Sequence, residues 1–318
     1  MATKEVETVV NKVVEKDMTT ALKSNSTSTL LCSMLVWPGI IALPLVLTYN
    51  DNYKNVFNRA WYDDSVNEYI DTKANGIKPL GLTLGLLAVV VGQIFMLFYF
   101  IIKKYLTVNI DIQRTGAREY NLMEGVRTHL AQPEGFIMLG GYLIGTWMAG
   151  LMPTSYYSFQ GGINVKHVVM QLLLQDFIQY IMHRLEHVGK GLIYEVTHKP
   201  HHHFTNPRIF DAFNGSIADT FCMILIPLFI TKEIVHCNVW SYMAFGSLYA
   251  NWLTLIHAEF THPWDRYFRY IGFGTAGDHH VHHKLFKYNF GHLFMYWDIL
   301  FQTYKSPTKV SVFNNEYI

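Results

Sequence analysis

The chain has 318 residues, of which 50% are hydrophobic, 15% aromatic and only 15% charged, with a net charge of +1. This balance is more apolar and less charged than that of an ordinary soluble domain. It excludes a surface built for nucleic acid or acidic partners, because no basic run stands out. Cys32, Cys222 and Cys237 are odd in number and far apart, which excludes a disulfide framework; they read as small core residues.

Met1–Thr29 is a polar leader without an apolar stretch, so it does not read as a cleavable signal peptide and is expected to be disordered and cytosolic. One membrane domain, residues 30–307, follows, and residues 308–318 form a C-terminal tail. Crossing about 30 Å of hydrocarbon takes roughly 20 residues per helix. Segments of that kind occur near Leu30–Tyr49, Leu80–Ile102 and Gly135–Met152, with a less apolar one near His167–Met182 and two more near Ile217–Ile230 and Val239–Ile256. Trp and Tyr near their ends favour a bilayer over a soluble helical core. Pro38 and Pro44 in the first segment, and the shortness of Ile217–Ile230, leave either open to being re-entrant or interfacial. The expected fold is all-α, an integral membrane helical bundle with a cytosolic cap.

Eight histidines fall into three clusters beside these segments: His183/His187, His198/His201/His202 and His279/His282/His283. Their spacings put each cluster on one face of a helix, with neighbouring Cβ atoms about 6 Å apart. Imidazole is a good ligand for iron, zinc, copper or nickel, and eight exceed the four that one tetrahedral ion takes. Two adjacent metals are therefore expected. The apolar pair Ile217–Ile230 and Val239–Ile256 has the form of a there-and-back hairpin, which returns the third cluster to the side of the first two. Arg184, Lys190, Lys199, Arg208, Arg266, Arg269, Lys284 and Lys287 accompany the clusters, which places that side in the cytosol.

Asp176, Tyr180, His183 and His187 share one helical stripe. A buried carboxylate there needs a partner: Asp176, with Tyr180 beside it, either orients a ligand imidazole through its other ring nitrogen or makes a helix-packing hydrogen bond. His203 and His280 lie off the ligand faces, as outer neighbours of the metals or solvated residues.

The stretch Asp176–Tyr180–His183–Arg184–His187, followed by His198–Lys199–Pro200–His201–His202 and His279–His280–Val281–His282–His283, resembles the fatty acid hydroxylase / sterol desaturase superfamily of membrane di-iron oxygenases. Asn289–Phe290–Gly291, Trp297–Asp298, Thr303–Tyr304 and Pro307 are similar to the tail of sterol C-5 desaturases, and methylsterol monooxygenases and cholesterol 25-hydroxylases have a related tail. The resemblance spans roughly Gln171–Pro307. Gln302 stands where relatives usually have Gly, and Asn206–Asp219 matches no one sterol enzyme. His257 lies where many relatives carry a further histidine and is taken as a ninth ligand; His262 stays open between ligand and loop residue.

The resemblance implies two iron ions, O2 as cosubstrate and electrons from NAD(P)H through a reductase and cytochrome b5 at the endoplasmic reticulum membrane. No haem, flavin, nicotinamide or iron–sulfur motif occurs in the chain itself. The expected activity is hydroxylation or desaturation of a hydrophobic lipid, a sterol ahead of a fatty acyl chain; the histidine clusters do not distinguish the two reactions. Two rivals are a membrane zinc hydrolase with Glu186 or Glu259 as base and a metal transporter. The first leaves most histidines without a role, and the second expects ligands within the bilayer.

Overall fold

A computed structural model describes residues 27–63, 77–107, 109–189 and 191–314. Most of the expected leader, residues 1–26, lies outside them, as does Lys190. Among the described residues the fold is helical, with three isolated β-bridges, Asp111–Phe260, Gln113–Phe313 and Phe273–Phe294, and no strand.

Proline chemistry shapes the first apolar segment. It forms three short helices, Thr27–Met34, Val36–Ile40 and Ala42–Thr48, each break falling near the residue four before a proline. A proline ring clashes with that carbonyl and cannot donate to it. Pro44 thus frees the Ile40 carbonyl, which accepts instead from Ser247 Oγ at 2.6 Å. The segment bends by 68° between Thr29–Ile40 and Ala42–Asp51. The helix Pro79–Ile101, prolonged to Leu106 by a π turn, is the one described helix that is by itself long and apolar enough to cross a membrane. Pro at its first position fits the missing donor there. Its exposed face carries Leu87, Val90, Ile94, Phe95 and Phe98.

The other four segments form helices that do not meet that measure. Gly135–Met152 becomes Pro133–Met148, 16 residues long. His167–Met182 lies in Val165–Val188, capped by the Asn164 side chain and made polar by Gln171, Gln175, Asp176, Gln179 and His183, all buried. Ile217–Ile230 is broken by a π turn, Phe221–Leu225, immediately before Ile226–Ile234 and its Pro227, an accommodation of the lost hydrogen bond.

Val239–Ile256 is the centre of the molecule, buried over most of its length. It packs against Pro79–Ile101, Val165–Val188 and the N-terminal helices. Gly92 allows the closest crossing: a Cβ there would stand 2.5 Å from both Ser247 Oγ and Asn251 Nδ2, and 2.8 Å from Ile40 O. Beyond Ile256 the chain forms the short helix Ala276–Leu285 and an irregular tail, which close over the ends of Val165–Val188 and Val239–Ile256.

Candidate metal centre

Four parts of the chain deliver imidazoles to one place. His183 and His187 end the Val165–Val188 helix, His257 caps Val239–Ile256, and His279, His282 and His283 lie on Ala276–Leu285, whose start is capped by Thr275. His198 sits in a turn and His201–His203 in a 3-10 turn, so the middle cluster is not on an α-helix as its spacing suggested.

The nine sort into two groups, within each of which the ligand nitrogens lie within 4.8 Å of one another. His183, His187, His198, His202 and His282 make one; His201, His257, His279 and His283 make the other. The middle and last sequence clusters are therefore split between two points rather than each aimed at one. His257 joins a group, as the resemblance implied.

Ring chemistry shows that these groups suit cations. His183 Nδ1 meets the Phe290 carbonyl at 2.7 Å, and His198 Nδ1 meets the Asp219 carboxylate at 2.6 Å. Each acceptor lacks a proton, so both Nδ1 atoms must carry one, which in the neutral, metal-binding form of the ring leaves Nε2 bare. Yet His183 Nε2 and His198 Nε2 face each other at 2.8 Å. The same holds in the second group, where His201 Nδ1 donates to Asn214 O, His257 Nδ1 to Leu253 O, and their Nε2 atoms stand 3.2 Å apart. Opposed lone pairs at such distances repel unless a cation lies between them. Outward-facing hydrogen bonds of this kind fix the tautomer that a metal needs.

Burial, reinforced by neighbouring imidazoles, holds His202, His279 and His283 well below the usual imidazole range, so their neutral, metal-binding forms prevail at neutral pH. Asp219 offsets part of the charge that ions would bring, whereas burial and the neighbouring Asp219 charge push the Glu186 carboxyl up to about 8. Asp219 binds His198, and Glu186, 3.6 Å from His198 Nδ1, has both oxygens buried without a hydrogen bond. Asp219 went unseen in the sequence because it lies in Asn206–Asp219, a stretch that matches no one sterol enzyme.

The remaining candidates stand elsewhere. Asp176 touches no imidazole: it accepts from the backbone N–H groups of His292, Leu293 and Phe294 and from Trp297 Nε1. Tyr180 bonds Thr303 and receives Arg184, outside both groups. His262 has both nitrogens engaged, by Tyr99 Oη at 2.7 Å and Leu255 O at 2.9 Å. His280 is held by Ala258 O and Gln113. His203 is solvent-exposed. Glu259 accepts from Tyr120 Oη and the Ile209 N–H, away from both groups, so it is not the base that a zinc hydrolase would require. His292, which the sequence reading passed over, is buried against His183 and His279 with ring centroids 4.9 and 5.0 Å away.

The fatty acid hydroxylase family model matches residues 168–303, and the chain belongs to that family of iron-dependent lipid-modifying enzymes. It is 56% identical over 282 residues, 86% of its length and 79% of the relative's, to the alternative squalene epoxidase of Phaeodactylum tricornutum. It is also 32% identical over 146 residues to the lathosterol oxidase of Rattus norvegicus, and 30% identical over 135 residues to methylsterol monooxygenase 1 of Danio rerio. Those matches cover 45% and 41% of this chain, and 46% and 44% of the relatives. No solved structure matches.

Proposed function

We propose that the chain is an O2-dependent squalene epoxidase. The observation that carries this reading is the alignment to the Phaeodactylum tricornutum enzyme, which extends well beyond the 168–303 core that the family shares. The sterol enzymes align over less than half of the chain.

An apolar cavity between Pro79–Ile101, Pro133–Met148 and Val239–Ile256 supports it. Its wall is almost wholly hydrocarbon, including Leu86, Val89, Leu143, Ile224, Leu228 and Phe245. Its few hydroxyls are largely committed: Thr146 donates to Tyr142 O and Tyr249 to Gln179 Oε1. A sterol hydroxyl would find little to bind, whereas squalene brings none. None of the imidazoles lines the cavity, but two of its lining residues lead toward them. Ala250 precedes His257 by seven residues on one helix, roughly 10 Å of rise, and Phe213 precedes Asn214, whose carbonyl holds His201.

Two irons, one per group, would supply the activation of dioxygen. The chain's own residues bind them through nine imidazoles, orient those rings through Asp219 and backbone carbonyls, and hold a terminal alkene in a water-poor cavity. Squalene, O2, two electrons and two protons give the epoxide and water; two C–O bonds form on the alkene and no C–H bond breaks. The electrons come from cytochrome b5 and its NAD(P)H-dependent reductase, docked at the cytosolic face of the endoplasmic reticulum membrane, where the bundle crosses with its histidine-bearing end outward.

Membranes containing the protein, given squalene, NADPH, donor proteins and isotopically labelled O2, should form the terminal epoxide with one labelled oxygen. Unchanged squalene together with conversion of a sterol intermediate would reject this substrate and return the reading to the sterol enzymes.

A further inference from the structure

His292 belongs to neither imidazole group, yet it is the one described histidine outside them whose ring lies against a member of each: His183 of the first and His279 of the second. It is 5% exposed, and its Nδ1 is buried without a hydrogen-bond partner. A buried donor or acceptor left so is costly, and native interiors rarely retain one without a ligand to meet it.

The main chain around it is fixed from two sides. Asp298 accepts from the N–H groups of Phe290 and Gly291, and Asp176 accepts from those of His292, Leu293 and Phe294. Five successive N–H groups thus point into two carboxylates. On the opposite side Gly274 presses so close that a Cβ would stand 2.0 Å from the His292 carbonyl oxygen. An imidazole on so constrained a backbone is presented, not merely tolerated.

We propose that His292 is a hydrogen-bond donor to a small anion or dioxygen held between the two metals, rather than a further ligand. This rests on reading the two imidazole groups as metal sites. Its ring spans the boundary between the groups, and its nitrogens fall outside the 4.8 Å clusters that define them. Neutral imidazole always carries one N–H, so no change of protonation is required.

The test uses the full-length protein in detergent, loaded with ferrous iron, and azide as the probe. His292→Leu removes the donor, and His292→Gln restores an N–H of similar reach. Both substitutions keep the backbone N–H that Asp176 binds, and melting of the metal-free proteins checks that they fold. We expect both variants to hold the unsubstituted chain's iron content. Azide should bind about tenfold more weakly to the Leu variant, as for loss of one hydrogen bond to a charged group, with recovery in the Gln variant. Unchanged azide affinity in the Leu variant would overturn the proposal, as would loss of one iron from both variants, which would make His292 a ligand. His283→Ala is the control for the underlying reading: if it too keeps all its iron, the metal sites themselves are misassigned and the inference falls with them.

Discussion

Asp176 and His183, two turns apart on one helix, are joined through a loop that neither belongs to. Asp176 accepts the N–H groups of residues 292–294, and the same loop returns the Phe290 carbonyl to His183 Nδ1 at 2.7 Å. The carboxylate therefore orients an imidazole of the first group without touching it. Asp176→Asn replaces one acceptor oxygen by a donor and strands buried N–H groups, a loss of about 3 kcal/mol. The variant should melt earlier and retain less iron on gel filtration; unchanged values of both would show that the loop holds itself.

His201 and His203 are two residues apart, and only one faces the centre. His201→Ala should abolish product formation and lower iron content while leaving the protein in the membrane, whereas His203→Ala should keep both. Substantial turnover by His201→Ala with full iron would refute the assignment of the second group.

Gln302 takes a left-handed backbone conformation, φ +58°, at the position where relatives usually carry Gly. That conformation costs a residue with a Cβ about 1–2 kcal/mol, part of which glycine's greater freedom in the unfolded chain offsets. Gln302→Gly should stabilise the protein by about 1 kcal/mol without altering turnover; a lower melting temperature would mean that the Gln side chain makes a compensating contact.

Gly246 lines the cavity in mid-helix, and a Cβ there meets nothing within 4 Å. Gly246→Ala should therefore add up to about 1 kcal/mol through helix propensity and leave KM near its original value. Gly246→Phe should fill the cavity and raise the KM for squalene at unchanged iron content. Equal KM values for the two variants would place the substrate elsewhere.

His202, His279 and His283 remain neutral in the folded protein at pH values where a free imidazole, with pKa about 6.5, takes up a proton. Below that pH the unfolded chain binds protons that the folded chain refuses, so stability is greatest above it and declines as the pH falls. Melting of the metal-free protein across this range should show the decline, and iron binding should weaken in parallel because protons compete for the same nitrogens. A flat profile would mean that these rings are hydrated.

Much of the centre was legible because histidine spacing survives translation into structure: eight clustered residues, and His257 through the family resemblance, all arrive in the two groups. What spacing could not convey is how a cluster divides. His201 and His202 are adjacent yet serve different groups because a 3-10 turn, not an α-helix, carries them. Asp219, in the short helix Ile217–Thr220, and His292, in an irregular loop, reach the centre through tertiary contacts that residue spacing does not convey. The helices were placed correctly in outline, but several are shorter, more broken or less apolar than a single crossing helix. Pro44 and Pro227 interrupt two of them, and the buried glutamines of Val165–Val188 make a third too polar.

A cavity walled by hydrocarbon treats what enters and what leaves differently. Once an oxirane oxygen has been added, the molecule carries an acceptor for which the wall offers few free donors, while the surrounding lipid has water at its interface to solvate it. Oxidation would thus loosen the grip on the molecule it creates, favouring departure after a single round over a second attack at the far end of the same chain.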